Sequence, residues 1–224
     1  MTRTGFCRVL FGISRGPFLL EQNQILRNQL ATALAHEETH RQLSMENGRL
    51  RALLDFKAKS SWRMVPAEVI GREMSLWSRT LLLNRGTRDG IENGMAVITP
   101  VGLVGQISEA GGSASRVVLM TDPHFRVAGT LARTRTFGLI TGNASGECLL
   151  TYLPLNADLK SGEPVLTTGG RSFCPEGIPV GTVQAVNEDS SRLFLSARIQ
   201  PAVNLSALDE VLIVERVPPS ESDP

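Results

Sequence analysis

The sequence predicts a mainly β protein in which a long N-terminal α-helix, forming a coiled coil, precedes two small six-stranded antiparallel β-barrels in tandem. Three observations lead to this fold class. Residues 17–57 contain no Gly or Pro besides Pro17 and Gly48, the remainder alternates short β-rich runs with Gly, Asn, Asp, Ser and Pro, and one template occurs twice in that remainder. A hydrophobic content of 42% and a charged content of 20%, with 33 Gly and Pro, exclude collagen, low-complexity disorder and a multi-span membrane protein.

The helix is predicted over residues 17–60. Between Pro17 and Lys57 the only other helix-breaking residue is Gly48, and the segment is rich in Leu, Gln, Glu, Arg and Ala. A heptad register gives it an incomplete apolar seam with an Asn at one core position, which favours a defined strand number. From this seam we expect five residues to mediate self-association: Leu26, Leu43, Asn47, Leu50 and Leu54. A helix that lies along its own domain is the alternative that the pattern leaves open.

Twelve short strands with no helix between them are predicted after residue 63. They are 67–71, 79–84, 95–99, 103–109, 116–121, 126–132, 137–141, 147–153, 164–168, 179–186, 192–200 and 210–215. Regular short strands without helices are typical of antiparallel sheets closed as barrels or paired as sandwiches.

The template that occurs twice lies in residues 90–119 and 158–195. Both copies read apolar-x-x-Gly-x-x-Val-apolar-Thr, a loop, Gly-apolar-x-Val-Gly-x-apolar, and then Ser-Arg before an apolar strand. The copies align two pairs of glycines, to which we assign structural roles: Gly94 with Gly162, and Gly105 with Gly181. The first pair precedes strands, where a positive φ costs glycine little, and the second pair marks bends or bulges inside strands. Two related barrels follow from this repeat.

The predicted domain organisation has five parts. These are an N-terminal segment (1–16), the coiled-coil helix (17–60), a first barrel (64–121), a second barrel (122–215) and a disordered tail (216–224), with the return of the last strands to the first barrel left open. Residues 1–63 carry 10 Lys and Arg against 5 Asp and Glu, and the remainder carries 13 against 17. With a net charge of +1, no basic field for nucleic acid is expected.

No motif for chemistry is found. The three cysteines have no CxxC spacing, and whether Cys148 and Cys174 pair is left open. His36 and His40 are four residues apart but have no third ligand nearby in the sequence. Asp122 and His124 are too close to be the usual partners of a catalytic triad, and no nucleophile motif accompanies them. We therefore predict no catalytic, cofactor or metal site, and a binding or scaffolding protein.

Several runs together resemble the MreC family of rod shape-determining proteins over residues 12–215. They are NRGTRDGIENGMAVITPVGLVG (84–105), SRVVLMTDP (115–123), YLP (152–154) with Ala157-Asp158, GIPVGTV (177–183), Pro201-Ala202 leading to LDEVLIV (208–214), and the helix end ENGRLR (46–51) through LDFK (54–57).

The resemblance implies a non-enzymatic scaffold of the cell-elongation machinery on the periplasmic face of the inner membrane. It implies a homodimer or higher homo-oligomer with MreD, MreB, RodA and a class B penicillin-binding transpeptidase as partners, and a role in cell shape and lateral peptidoglycan synthesis. It also implies a membrane helix before the coiled coil. No stretch here reaches the ~18 apolar residues that such a helix needs, so we expect anchoring to depend on a segment that is missing from this sequence.

Three other functions are compatible with parts of the pattern. A periplasmic adaptor of an efflux or secretion system also joins a coiled coil to β domains, but it normally needs a helical hairpin flanked by its β halves. A protease built on two barrels lacks its nucleophile motif here. A ligand-binding double barrel would hide its pocket from the sequence.

Overall fold

The computed structural model describes residues 41–54, 56, 62–75, 77–169, 174–188 and 193–215. Residues 41–54 form an α-helix, α1, and Phe56 is also helical. Residues 17–40 of the predicted helix, with Leu26, lie outside the described residues, so the long coiled coil stays a prediction. Among the described helical residues, no helix has the length and hydropathy needed to cross a membrane.

The β-rich part contains the twelve predicted strands, and this prediction is confirmed. They are β1 (Met64–Met74), β2 (Arg79–Leu83), β3 (Ala96–Ile98), β4 (Leu103–Ala110), β5 (Ser115–Leu119), β6 (Arg126–Leu131), β7 (Phe137–Gly142), β8 (Cys148–Leu153), β9 (Pro164–Thr168), β10 (Glu176–Glu188), β11 (Leu195–Pro201) and β12 (Glu210–Val214). One 3-10 turn, Thr87–Asp89, lies between β2 and β3.

The strands close into two antiparallel barrels of six strands each, as predicted. Barrel 1 has the order β1-β12-β3-β4-β5-β2, and barrel 2 has the order β10-β11-β8-β7-β6-β9. The last strand therefore belongs to barrel 1, which is the arrangement that the sequence left open. Barrel 2 comprises residues 126–201, between β5 and β12 of barrel 1.

The two barrels share one topology. If β12 is matched with β6, then β1 to β5 match β7 to β11 in chain order, and every neighbour pair agrees. Barrel 1 is thus a circular permutation of barrel 2, with its first strand at the C-terminal end. The sequence template covers only β3 to β5 and β9 to β11, and the structure extends the repeat to all six strands.

Equivalent backbone hydrogen bonds confirm the repeat at the level of atoms. The amide of Gly94 donates to the Ile107 carbonyl (2.8 Å), and that of Gly162 donates to the Val183 carbonyl (2.7 Å). A second matched pair runs from Met120 to Val104 and from Ala202 to Val180, both at 3.0 Å. The template therefore encodes backbone geometry as well as hydrophobic pattern.

The matched glycines occupy two kinds of position. Gly94 and Gly162 have φ values of 90° and 82°, a region that residues with a Cβ rarely adopt. At Gly105 a Cβ would lie 2.1 Å from the Val118 carbonyl oxygen, and at Gly181 it would lie 2.0 Å from that of Gln200. The second pair thus lets the next strand approach closely where each barrel bends, and register shifts occur nearby in β3–β4 and β10.

Apolar side chains form two clusters. One fills the interior of barrel 1. The other fills barrel 2 and continues onto the outer face of barrel 1, where it includes Ala96, Ile98, Leu103, Leu212 and Val214. As a result β12 is buried on both faces: Val211 and Ile213 point into barrel 1, and Leu212 and Val214 belong to the cluster shared by the two barrels.

Cys148 and Cys174 are free thiols, both buried in the shared cluster. Burial disfavours the charged thiolate and raises the pKa of each to about 12, with a small opposing effect on Cys174 from a hydrogen bond with Thr167. They therefore act as small apolar side chains.

A chain that ends after Asp209 lacks β12, and we expect it to lose barrel 1 while barrel 2 stays folded. The reason is that β12 hydrogen-bonds to both β1 and β3, whereas the strands described for barrel 2 end at Pro201. Hydrogen exchange followed by mass spectrometry checks this: amides in 79–119 should lose protection and those in 126–201 should keep it. A chain that ends after Glu215 retains β12 and is the control. Full protection of barrel 1 in the shorter chain would contradict the assignment.

In a Cys7→Ser variant at pH 8, we expect Cys148 and Cys174 to react with a disulfide reagent such as DTNB only when the protein unfolds. With a pKa of about 12, each thiol is ionised in about one molecule in ten thousand at this pH, and burial also blocks access. Absorbance of the released thionitrobenzoate should show two equivalents in denaturant and almost none without it. Rapid labelling of the native protein would be inconsistent with this burial.

Candidate docking surfaces

Helix α1 carries a seam of exposed side chains. Leu43, Leu50 and Leu54 are 58%, 42% and 63% exposed, and Asn47 lies on the same heptad face. Leu53, by contrast, is buried in the shared apolar cluster. A row of exposed leucines on one helical face is what a coiled-coil partner would cover. The fifth predicted residue, Leu26, lies outside the described residues.

One end of barrel 2 carries a group of exposed apolar side chains, here called the apolar end. Its members are Phe137, Tyr152, Leu155, Leu193 and Phe194. The topology brings them together, because β7 begins, β8 ends and β11 begins at this end of the barrel, with Leu139 opposite Thr151 and Leu195 opposite Leu153. Large exposed apolar groups of this kind are typical of protein interaction sites.

Two aromatic rings organise the apolar end. Tyr152 and Phe194 meet edge to face, with ring centroids 5.6 Å apart and an interplanar angle of 73°. Tyr152 has a φ of 60°, which costs a residue with a Cβ on the order of 1–3 kcal/mol and is concentrated at functional sites. Phe137 and Tyr152 are also 69% and 61% exposed, so the surface is open to a partner.

The structure brings Asp122 and His124 together, but in an arrangement suited to a turn. One oxygen of the Asp122 carboxylate accepts the His124 backbone N–H at 2.7 Å and lies 3.1 Å from the ring Nδ1. The other oxygen accepts the backbone N–H of Arg79 at 2.6 Å. The imidazole is 79% exposed, and the carboxylate is committed to backbone donors. The pair caps a turn and does not resemble a catalytic dyad.

Two basic residues at opposite ends of β6, Arg133 just after the strand and Arg126 at its start, are engaged in contacts within the chain. Arg133 contacts the carboxylates of Asp158 (2.8 Å) and buried Glu163 (3.3 Å), and its pKa is raised, chiefly by the hydrogen bond to Asp158. Arg126 donates to backbone carbonyls of Pro123 and Phe125. Both cations therefore stabilise the turns and loops that they contact. In the described part of the chain, no group of His, Cys, Asp and Glu is placed to hold a metal ion.

Sequence reasoning missed the apolar end. Phe137, Tyr152 and Phe194 are separated by up to 57 positions in the sequence, and only the strand pairing places them at the same end of barrel 2. Tyr152 belongs to the Tyr-Leu-Pro run of the family pattern, but that run carries no signal of its backbone strain. A search for aromatic residues at or next to the ends of the predicted strands could have found Phe137 and Tyr152.

These observations define a class: a tandem-barrel protein that presents surfaces for binding, with two barrels of one topology joined through a shared apolar core. Comparison with known proteins agrees. The family model "Rod shape-determining protein MreC, barrel core" matches residues 69–215. The chain belongs to the MreC family of rod shape-determining proteins.

Among curated relatives, the cell shape-determining protein MreC of Haemophilus influenzae is 32% identical over 194 residues, which are 86% of this chain and 55% of the relative. The chain thus spans about half the length of that relative. A solved structure of an MreC superposes with a TM-score of 0.70 at 29% identity, covering 77% of this chain and 98% of the other.

Two more distant structures share the fold. One is the major periplasmic domain of the cell shape-determining filament MreC, with a TM-score of 0.61, 24% identity and coverage of 68% of this chain and 95% of the other. The second is a complex between Penicillin-Binding Protein (PBP2) and MreC from Helicobacter pylori, with a TM-score of 0.58, 17% identity and coverage of 70% and 100%.

Proposed function

We propose that this chain is a non-enzymatic scaffold of the cell-elongation complex, acting in cell shape and lateral peptidoglycan synthesis on the periplasmic face of the inner membrane. The observation that carries the proposal is the apolar end of barrel 2, an exposed aromatic surface on a protein whose family is that of cell shape determinants. The H. pylori relative solved with PBP2 supports a penicillin-binding transpeptidase as the partner. MreD, MreB and RodA are further partners that the family resemblance implies.

The binding mode we propose is contact between side chains at the apolar end. Both barrels are closed rings, so they offer few unpaired strands to which a partner could add. Aromatic side chains provide large contact areas with little loss of rotamer freedom, and they dominate the binding energy of many interfaces.

Replacement of Tyr152 by Asn, combined with Phe137→Ser, should weaken binding of the purified elongation transpeptidase of the same organism by about tenfold or more. Asn is chosen because it tolerates the positive φ at this position. Titration by biolayer interferometry measures the affinity. Trp77→Ser is the matched control, since Trp77 is a 78% exposed aromatic residue near the β1–β2 turn of barrel 1. Equal losses in both variants, or none in either, would refute the apolar end as the docking surface.

We further propose that the helix pairs two chains through its exposed seam and so sets the barrels at a distance from the membrane. The support comes from Leu43, Asn47, Leu50 and Leu54, which share one face and are exposed. Gly48 lies outside this seam, and a Cβ added to it would have nothing within 4 Å. Its weak helix propensity therefore does not serve close helix packing in the single chain.

The variants Leu43→Asp and Leu50→Asp should each weaken self-association about ten- to hundredfold, because each removes a buried leucine from the dimer and adds a charge. Light scattering over a concentration series gives the mass, and circular dichroism verifies that the barrels remain folded. Met45→Asp is the matched control: it makes the same apolar-to-acid change on the same helix, at a 61% exposed position off the seam. If the mass is unchanged in the seam variants, the helix is not the dimer contact.

The adaptor of an efflux or secretion system is the less supported alternative. Its β halves would flank a helical hairpin, whereas the strands of both barrels here follow α1 in the chain. The family match also favours the scaffold.

A further inference from the structure

One side chain reaches from barrel 1 to barrel 2. Arg79 is the first residue of β2, and its guanidinium donates to the carbonyl oxygens of Asn143 (3.1 Å) and Ala144 (2.9 Å) in the β7–β8 turn. It also donates to the Thr121 carbonyl at 3.4 Å, in the segment that leaves barrel 1. A Cβ at Gly146 would lie 3.0 Å from the guanidinium Nε, so this glycine leaves the space that the arginine occupies.

The backbone of the same arginine is held as well. Its N–H donates to Asp122, whose carboxylate is 2% exposed and also accepts the His124 backbone N–H. A buried carboxylate with these donors fixes the segment between the barrels against the start of β2. Arg79 is therefore tied to the linking segment through its main chain and to barrel 2 through its side chain.

Backbone segments also approach closely at two other places where barrel 1, or the segment that leaves it, meets barrel 2. A Cβ at Gly142 would lie 2.2 Å from the carbonyl carbon of Thr121, and one at Gly102 would lie 2.4 Å from the carbonyl oxygen of Pro179. The shared apolar cluster also crosses the boundary. Apolar burial is non-directional, so it holds the barrels together but does not fix the angle between them. The hydrogen bonds from the Arg79 guanidinium to three carbonyls, by contrast, require a defined geometry.

We propose that Arg79 is a positioning residue that fixes the angle between the two barrels, so that their relative orientation stays constant. A partner that touches both barrels then meets a surface that is already arranged, and binding requires no ordering of one barrel against the other. The β7–β8 turn contributes only backbone carbonyls to these hydrogen bonds, and the Asn143 side chain holds the turn through Glu147, whose backbone N–H donates to it at 2.9 Å. This inference concerns the chain alone and stands whether or not the proposed transpeptidase binds.

The experiment measures the distance between spin labels on the two barrels by double electron–electron resonance. In a Cys7→Ser background, Thr87→Cys labels barrel 1 and Gln184→Cys labels barrel 2, both at exposed positions. With the labelled chain diluted in an excess of unlabelled chain, so that distances between paired chains do not contribute, the parent should give one narrow distance distribution. Arg79→Ala should lose the narrow peak and give a broad distribution, while circular dichroism remains that of folded barrels. Arg116→Ala is the matched control. The Arg116 side chain forms an ion pair with Glu109 (3.0 Å) on the surface of barrel 1, to which both residues belong, so this variant should keep the narrow peak.

Two further variants keep the test decisive if Arg79→Ala unfolds. Arg79→Lys keeps the charge but cannot span the three carbonyls, so it should also broaden the distribution. Gly142→Ala should shift the mean distance, because its Cβ would overlap the Thr121 carbonyl carbon. A narrow, unshifted distribution in folded Arg79→Ala or Arg79→Lys would overturn the proposal, as would equal broadening in Arg116→Ala.

Discussion

Closure of barrel 1 by the last described strand is the constraint on which the rest of this structure depends. β12 hydrogen-bonds to β1 on one side and to β3 on the other, so without it the first sheet would have two open edges. Its side chains are buried on both faces, two in barrel 1 and two in the cluster shared with barrel 2. One short strand thus completes a ring and joins two cores, and barrel 1 can be completed only after the whole of barrel 2 has been synthesised.

The repeat shows which features the barrel requires and which are free to differ. Backbone hydrogen bonds and close-approach glycines are the same in both copies. At one equivalent position, however, barrel 1 has buried Met95 and barrel 2 has buried Glu163, whose backbone atoms make the matching bonds. A buried carboxylate is costly unless it is paired, and Arg133 supplies both a side-chain ion pair and a backbone N–H to it. Barrel 2 therefore uses this position to hold its β6–β7 turn, while barrel 1 uses it for core packing.

The strands and the tandem repeat could be predicted from the sequence because both depend on local pattern, namely alternating apolar residues bounded by Gly, Pro, Asn and Asp. The assignment of β12 could not, since its run of buried residues indicates only that both faces are covered, and gives no partner strand. The matched glycines were identified because the two copies align. Arg79 was not identified because an arginine at the start of a strand has no local signature, and its acceptors are main-chain carbonyls more than 40 residues away.

Closed barrels also restrict how such a protein can bind. An open sheet edge offers unpaired N–H and C=O groups that accept almost any extended segment, whereas a closed ring leaves mainly side chains as points of recognition. Specificity must then come from which side chains are exposed and how they are arranged in space. In barrel 2 the strained Tyr152 and its contact with Phe194 fix part of that arrangement locally. Between the barrels, directional hydrogen bonds from Arg79 would do so over a longer distance, because an apolar interface alone permits sliding. In the scaffold role proposed above, geometry of this kind determines where the partners are held.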